Sequence, residues 1–345
     1  MRWHDAKAPL LAASLFLTTL CGCPGTSGGG GQARLLFSGL NVALMSVSGT
    51  SASDVYAVGA DPGDGKGPYV LHYDGRHWRR LLTESSGDLW WISVTPIDGD
   101  FFMGGAGSQV LRYDPAADTF EPLQPPGGAG DTVFGVWGPD AAHLWAVGGD
   151  LDRPDDSGFI WNYDENTWAV VNVGETVAAD LPILYKVWGR SAADVFVVGR
   201  LGTVLHFDGA DWSRLPTDTT RTLFTVHGDA DQVIAVGGFG DAVILEADAG
   251  SFVDRAPSEM PAMNGVCVGP EGTTVAVGIE GSVARREETG WTLEDLDFST
   301  IRDFHATWVD PQGGIWAVGG NLSAELNDGM LAYIGTADIS TTVVP

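Results

Sequence analysis

A glycine returns along this chain at Gly59, Gly104, Gly148, Gly199, Gly237, Gly278 and Gly319, and no other feature limits the fold so sharply. Gly59 and Gly319 bracket intervals with a mean of about 43 residues, the spacing of a repeat array. Most of these glycines end a short apolar run: Tyr56-Ala57-Val58, Trp145-Ala146-Val147, Phe196-Val197-Val198, Ile234-Ala235-Val236, Val275-Ala276-Val277 and Trp316-Ala317-Val318, with Phe101-Phe102-Met103 the most divergent. After a turn comes a further run closed by Asp, as in Leu71-His72-Tyr73-Asp74 and Leu205-His206-Phe207-Asp208, and then an aromatic: Trp78, Phe120, Trp168, Trp212, Phe252 or Trp291. Runs this short, cut by Gly, Asp and Ser, argue for antiparallel strands and against helices. Four strands per copy at this period is the signature of a β-propeller. The expected fold is therefore all-β, a seven-bladed β-propeller of four-stranded antiparallel blades.

Such a ring must be closed. The last copy reaches its third strand at Gly329 to Ile334 and lacks an obvious fourth. Ala33-Arg34-Leu35-Leu36 matches Arg79-Arg80-Leu81-Leu82 of the first blade, so the N-terminal strand is expected to pair beside blade 7, with Ile339 to Val344 as the alternative. Two copies carry a finer pattern. LWAVGG followed by WNYDENTW in blade 3, and FFMGG followed by RYDPAADTF in blade 2, resemble kelch repeats, where a Gly-Gly pair precedes Tyr-Asp and a Trp. The whole is similar to the diverse kelch-like and WD-like propeller repeats of bacterial surface lipoproteins. That resemblance implies a fold more than an activity.

The N-terminus supports the same direction. Arg2 and Lys7 precede an apolar stretch from Ala8 to Leu20, the form of an export signal and too short to span a bilayer. Leu20-Cys21-Gly22-Cys23 resembles a bacterial lipobox with Cys23 as the lipidated residue. The resemblance implies cleavage before Cys23, and Pro24 in place of Asp would direct the product to the outer membrane; secretion without an anchor is the alternative. The expected division is residues 1–22 as signal, 23–32 as a glycine-rich tether and 33–345 as propeller.

Charge narrows the partners. With 18 basic against 45 acidic residues, the formal net charge is −27, a surface that repels nucleic acid and keeps copies of the chain apart. A monomer that meets the membrane only through its anchor, and that recognises a protein or glycan at the cell surface, is expected. Of three cysteines, Cys267 aligns with Val47, Val136, Val187 and Val226 and reads as a core thiol.

Candidate chemistry has to survive alignment of the blades. His72 and His206 share one third-strand slot with Arg112, Asn162, Glu246 and Arg285, which reads as a solvated strand position. Asp74, Asp114, Asp164, Asp208 and Asp248 sit where Asp favours a turn by accepting backbone N–H groups. Trp137, Trp188 and His227 fall level with Ser48 and Thr95 and read as packing between blades. No motif with catalytic spacing remains, so no catalytic residue, cofactor or metal is assigned. The non-periodic loops Ala60 to Pro68, Gly149 to Gly158, Asn172 to Leu184 and Gly320 to Asp328 should gather on one face, where binding sites are built. There, Asp150, Asp152, Asp155 and Asp156 have the hard oxygen ligands that Ca²⁺ takes, although their spacing is not that of an EF-hand and an ordinary solvated acidic loop is the preferred reading. Trp90, aligned with Ala43, Thr132, Ile183 and Thr222, is the best candidate for an aromatic exposed near the entry of the ring, with packing the favoured alternative. The expected function is a non-enzymatic binding or scaffold module. The alternative is a carbohydrate-active hydrolase or lyase, which requires two carboxylates, or a His with a carboxylate, to converge at the mouth.

Overall fold

A computed structural model describes residues 32–174, 177–178, 180–322 and 325–344. Cys23, the export-type segment and the glycine-rich stretch up to residue 31 lie outside the described residues. The described chain forms seven sheets, one per blade, each built on four antiparallel strands. Its only helical pieces are the 3₁₀ turns Pro270–Gly272 and Ile279–Gly281. The innermost strands are Leu44–Ser51, Leu89–Val94, Asp131–Asp140, Leu184–Ser191, Leu223–Gly228, Met263–Val268 and Asp303–Val309, blades 1 to 7 in turn.

Closure uses both ends of the chain. Gln32–Leu40 pairs antiparallel with the third strand of blade 7, Asn327–Gly335, and completes that sheet. The strand thus begins one residue inside the expected tether. The C-terminal alternative is also occupied, in another place. Val343–Val344 runs parallel to Trp78 and Arg79 and adds a fifth strand to blade 1. On the way, the Ser340 carbonyl accepts from the Trp78 indole at 2.9 Å, and Tyr73 Oη accepts from the Ser340 amide at 3.3 Å. Trp78 itself is fully buried, stacked on Tyr73 at 5.0 Å and edge-on to Phe37 at 5.4 Å. The two termini therefore clamp the blade 7 to blade 1 junction from its outer edge.

Within a blade, the short hairpins are built as their composition dictates. The Asp74, Asp114 and Asp208 carboxylates each accept two backbone N–H groups of the turn that follows. Across those turns stand the pairs Tyr73–Trp78, Tyr113–Phe120, Tyr163–Trp168 and Phe207–Trp212, in register and 4.7 to 5.4 Å apart. Directly opposed aromatic pairs of this kind are a main source of sheet stability.

The third-strand polar slot is half-buried and not freely solvated, which refines the expectation. The His72 side chain is stacked on Tyr56 at 4.2 Å and hydrogen-bonded to Asp54 at 2.8 Å. His206 repeats the arrangement on Phe196 and Asp194, at 4.4 and 2.7 Å. Arg112 reaches Asp100 in the same way, at 2.9 Å. Burial disfavours the charged carboxylates of Asp54 and Asp194, but hydrogen bonds from His72 and Thr50 to the first, and from His206 and Arg190 to the second, outweigh it and hold both below their usual range. In blades 1, 2 and 4 these are ties between the third strand and an acid at the start of the second; elsewhere the slot residue finds other partners, the Leu144 carbonyl for Asn162, Arg286 and Trp291 for Glu246, and Glu294 for Arg285.

Candidate functional site at the channel mouth

Each innermost strand carries a one-residue bulge near its start. The register jumps at Leu44/Ser46, Leu89/Trp91, Val133/Gly135, Leu184/Lys186, Leu223/Thr225, Met263/Gly265 and Phe304/Ala306. The unpaired residues are Met45, Trp90, Phe134, Tyr185, Phe224, Asn264 and His305. A bulge re-aims the extra side chain away from its sheet, and here all but Met45 line the mouth of the central channel.

The recurrent glycine is the other half of this device. A Cβ on Gly59, Gly148, Gly199, Gly237, Gly278 or Gly319 would stand 1.9 to 2.3 Å from a carbonyl oxygen two residues before the bulged position of the facing strand. Only a residue without a side chain lets the bulged backbone pass. In blade 2 the structural equivalent is Gly105 and not Gly104: Leu89 pairs with Gly105, and its Cβ would meet the Asp88 carbonyl at 2.5 Å. The alignment of the innermost strands shifts likewise. Trp90 stands level with Met45 and Phe134, not with Ala43 and Thr132, and Cys267 stands level with Trp137 and Trp188, not with Val47. Ser93, not Thr95, is the blade 2 member of that slot.

The bulged side chains touch in sequence around the ring. Trp90 meets Phe134 edge-on at 5.3 Å, Phe134 meets Tyr185 at 5.3 Å, and Tyr185 meets Phe224 at 5.5 Å. On the other side Trp90 lies 6.1 Å from His305. Loops of the same face extend the wall upward with Leu151, Phe239, Ile279 and Leu322, enclosing about 370 Å³, the size of a small-molecule pocket. Phe239 is 71% exposed yet held in place: it stands edge-on to Phe224 at 5.3 Å, and Arg221 donates to the carbonyls of Phe239, Asp241 and Ala242.

At the floor lies Lys186, the residue after the blade 4 bulge and only 4% exposed. Its Nζ donates to the Phe134 carbonyl at 2.7 Å and sits 4.3 Å from the centre of the Trp91 ring. Gly135, at the same level on the blade between, has no side chain to stand in its way. Burial alone pulls the Lys186 ammonium down to about 7. His305, whose surface faces the channel, is lowered to about 4 by burial and then by Lys186. A neutral His305 that gives its Nδ1 hydrogen to the Met45 carbonyl keeps its Nε2 lone pair free to accept.

Below this level the channel has a second ring. Trp137, Trp188 and Trp308 each lie over a glycine of the next blade, Gly189, Gly228 and Gly49. His227 Nδ1 accepts from the Val268 amide at 3.0 Å. These residues join neighbouring blades. Cys267 belongs to the same ring, 4% exposed, with its thiol pushed up to about 11 by burial, which leaves no thiolate for nucleophilic chemistry.

The acidic loop contributes otherwise than its composition suggests. Asp150 accepts from the Asp152 amide at 2.9 Å, Asp155 pairs with Arg200 at 3.0 Å, and Arg153 lies 4.0 and 3.9 Å from Asp150 and Asp156. Among the described residues no three His, Cys, Asp or Glu side chains are placed to hold a metal. What this loop brings to the mouth is Leu151. Lys186 and Phe239 went unnoticed in the sequence, and so did the ring as a whole.

No protein-family model and no curated protein matches this sequence. Solved structures do. The WD40 β-propeller domain of Doa1 superposes with a TM-score of 0.65 at 14% identity, covering 90% of this chain and 99% of that one. The RRP9 WD40 repeats give 0.64 at 14% identity, over 89% and 98%. The extracellular domain of BT3049 from B. thetaiotaomicron gives 0.62 at 10% identity, over 86% of this chain and 40% of that one. At such identities the likeness is one of fold: a seven-bladed, WD40-like β-propeller.

Proposed function

We propose that the chain is a non-enzymatic binding module that docks a protein partner on the loop-rich face. One observation carries this reading, the apolar mouth. Large apolar side chains stand exposed on loops of this face, Leu151 at 56%, Leu201 at 48%, Phe239 at 71% and Ile301 at 81%, around a ring of aromatics whose positions are fixed by their neighbours. Rigid exposed aromatics beside a pocket are the usual anchors of protein interfaces. The hydrolase or lyase reading has less support. Of the residues that line the mouth, Asp303 is the one carboxylate, and it accepts from the Glu280 amide at 2.9 Å; it is not paired with His305, whose Nδ1 is bonded to the Met45 carbonyl.

The propeller, immobilised and exposed to surface extracts of its source cells, should retain a partner that Phe239→Ser and Leu151→Ser together release. Retention of the same partner by the double variant would refute the choice of face. A partner that survives protease but not glycosidase treatment would be a glycan.

The N-terminal pattern extends the reading to place: export, lipidation at Cys23 and attachment to the outer membrane through a glycine-rich tether. Cys23→Ala should abolish palmitate labelling and release the protein from membranes, and unchanged labelling would remove the anchor from the proposal.

A further inference from the structure

Lys186 is a buried cation with no anion. Its neighbours are a carbonyl oxygen and an indole face, and the cause of its lowered proton affinity is burial alone, with no carboxylate contribution. An ammonium shut away from water without a counter-charge is costly to the fold. Apart from Asp303, the walls of the chamber above it are apolar or neutral: Trp90, Phe134, Tyr185 and Phe224 at the sides, with Asn264 and His305 beside them. Asn264 uses its amide N–H to reach the Phe304 carbonyl at 2.8 Å. Asp303 faces the chamber from blade 7 but is engaged by the Glu280 amide. Higher on the rim, carboxylates are matched by arginines, Asp155 by Arg200 and Asp328 by Arg302. Asp303 is thus the one carboxylate of the lining, and Lys186 is left facing an aromatic-walled space of about 370 Å³.

We infer that this chamber binds an apolar carboxylate, with the carboxyl group at Lys186 and an aromatic or branched group against the bulged ring. The carboxylate supplies the missing counter-charge in a place of low dielectric, where a charge-assisted hydrogen bond is strongest. The ring supplies flat apolar surface that neither a hydrophilic anion nor a bare ion uses. A free organic acid and the C-terminal residue of a peptide share this chemistry. The inference stands apart from the docking proposal, since it concerns the chamber floor at Lys186 and the bulged ring and not the exposed loop residues.

Titration calorimetry on the intact propeller tests it with paired probes: 3-phenylpropionate against 3-phenylpropionamide, and N-acetyl-Gly-Phe with a free against an amidated C-terminus. Each acid should bind at least about tenfold tighter than its amide, the ratio that a charge-assisted contact gives over a neutral one. Lys186→Met should erase that ratio without lowering the melting temperature. Trp90→Ala should weaken acid and amide alike and leave the ratio in place. A tighter peptide acid identifies a chain terminus as the source, and a tighter phenylpropionate identifies a small organic acid. Equal binding of acid and amide overturns the inference, as does an acid preference that survives Lys186→Met, or the absence of binding by either acid at millimolar concentration. The acid–amide comparison needs only the wild-type protein, so it stands whatever the variants do. Leu201→Ser and Ile301→Ser, exposed on the same face but outside the chamber lining, separate the two proposals: they should weaken the hold on a docked protein and leave the acid preference unchanged.

Discussion

At the scale of the residue, Lys186 sets function against stability. In the unfolded chain its ammonium holds its proton up to about 10.5, and in the fold only up to about 7. Between those values the unfolded state binds more protons, so stability contributed by this group rises with pH through that window, and the penalty is complete at pH 7 and below. Lys186→Met, similar in volume and without charge, should therefore stabilise the propeller by on the order of 1–4 kcal/mol near pH 6. The gain should shrink as the pH approaches 9. Chemical denaturation of both proteins across that range measures it, and a less stable variant at pH 6 would make Lys186 a structural residue. His72 and His206 stand at the opposite pole. Their attraction as a catalytic pair ends with Asp54 and Asp194, which bind them on separate blades. Nothing in the spacing of the sequence revealed those partners, because each acid lies on a neighbouring strand and the contact exists only after the hairpin forms.

The bulge and its glycine are the working unit at the scale of the element. Gly148 shows the coupling most sharply: a Cβ there would lie 1.9 Å from the Thr132 carbonyl and 2.5 Å from the Phe159 ring. Gly148→Ala should destabilise the domain by about 1–3 kcal/mol or more, since backbone cannot yield as a side-chain tip can. Gly128→Ala is the control, with only an Asp131 carboxylate oxygen at 3.9 Å, and should fall within about 0.5 kcal/mol of wild type. Thermal unfolding of both variants gives the comparison. The same element explains where the sequence alignment slipped. Read without gaps, Leu44-Met45-Ser46-Val47, Leu89-Trp90-Trp91-Ile92, Val133-Phe134-Gly135-Val136, Leu184-Tyr185-Lys186-Val187 and Leu223-Phe224-Thr225-Val226 are one pattern, and its second position is the bulge. Placing Trp90 two residues off hid that pattern, and with it the aromatic ring.

At the scale of the molecule, stability rests on closing the circle. Gln32–Leu40 is one strand, but it completes blade 7 by pairing with Gly329 to Gly335 of its third strand and buries Ala33 and Leu36. Without it, the edge of blade 7 is unpaired and the junction with blade 1 loses its outer tie. A protein beginning at Val42 should unfold at lower temperature and in a broader transition than one beginning at Gln32, as calorimetry would show. An equally sharp transition at the same temperature would mean that the C-terminal strap at Val343–Val344 suffices.

The sequence by itself determined the number of blades, their strand order and the strand that closes them. Each depends on local chemistry: apolar alternation, turn-forming Asp, and a glycine wherever another chain segment passes within contact of its Cα. The tertiary structure alone decided which side chains meet at the centre. Trp90, Phe134, Tyr185, Phe224 and His305 are separated by some 40 residues each, and Lys186 reads as an ordinary strand lysine. They become neighbours only because a ring brings the same point of every blade to one axis, where a local bulge repeated around a circle turns into a shared chamber.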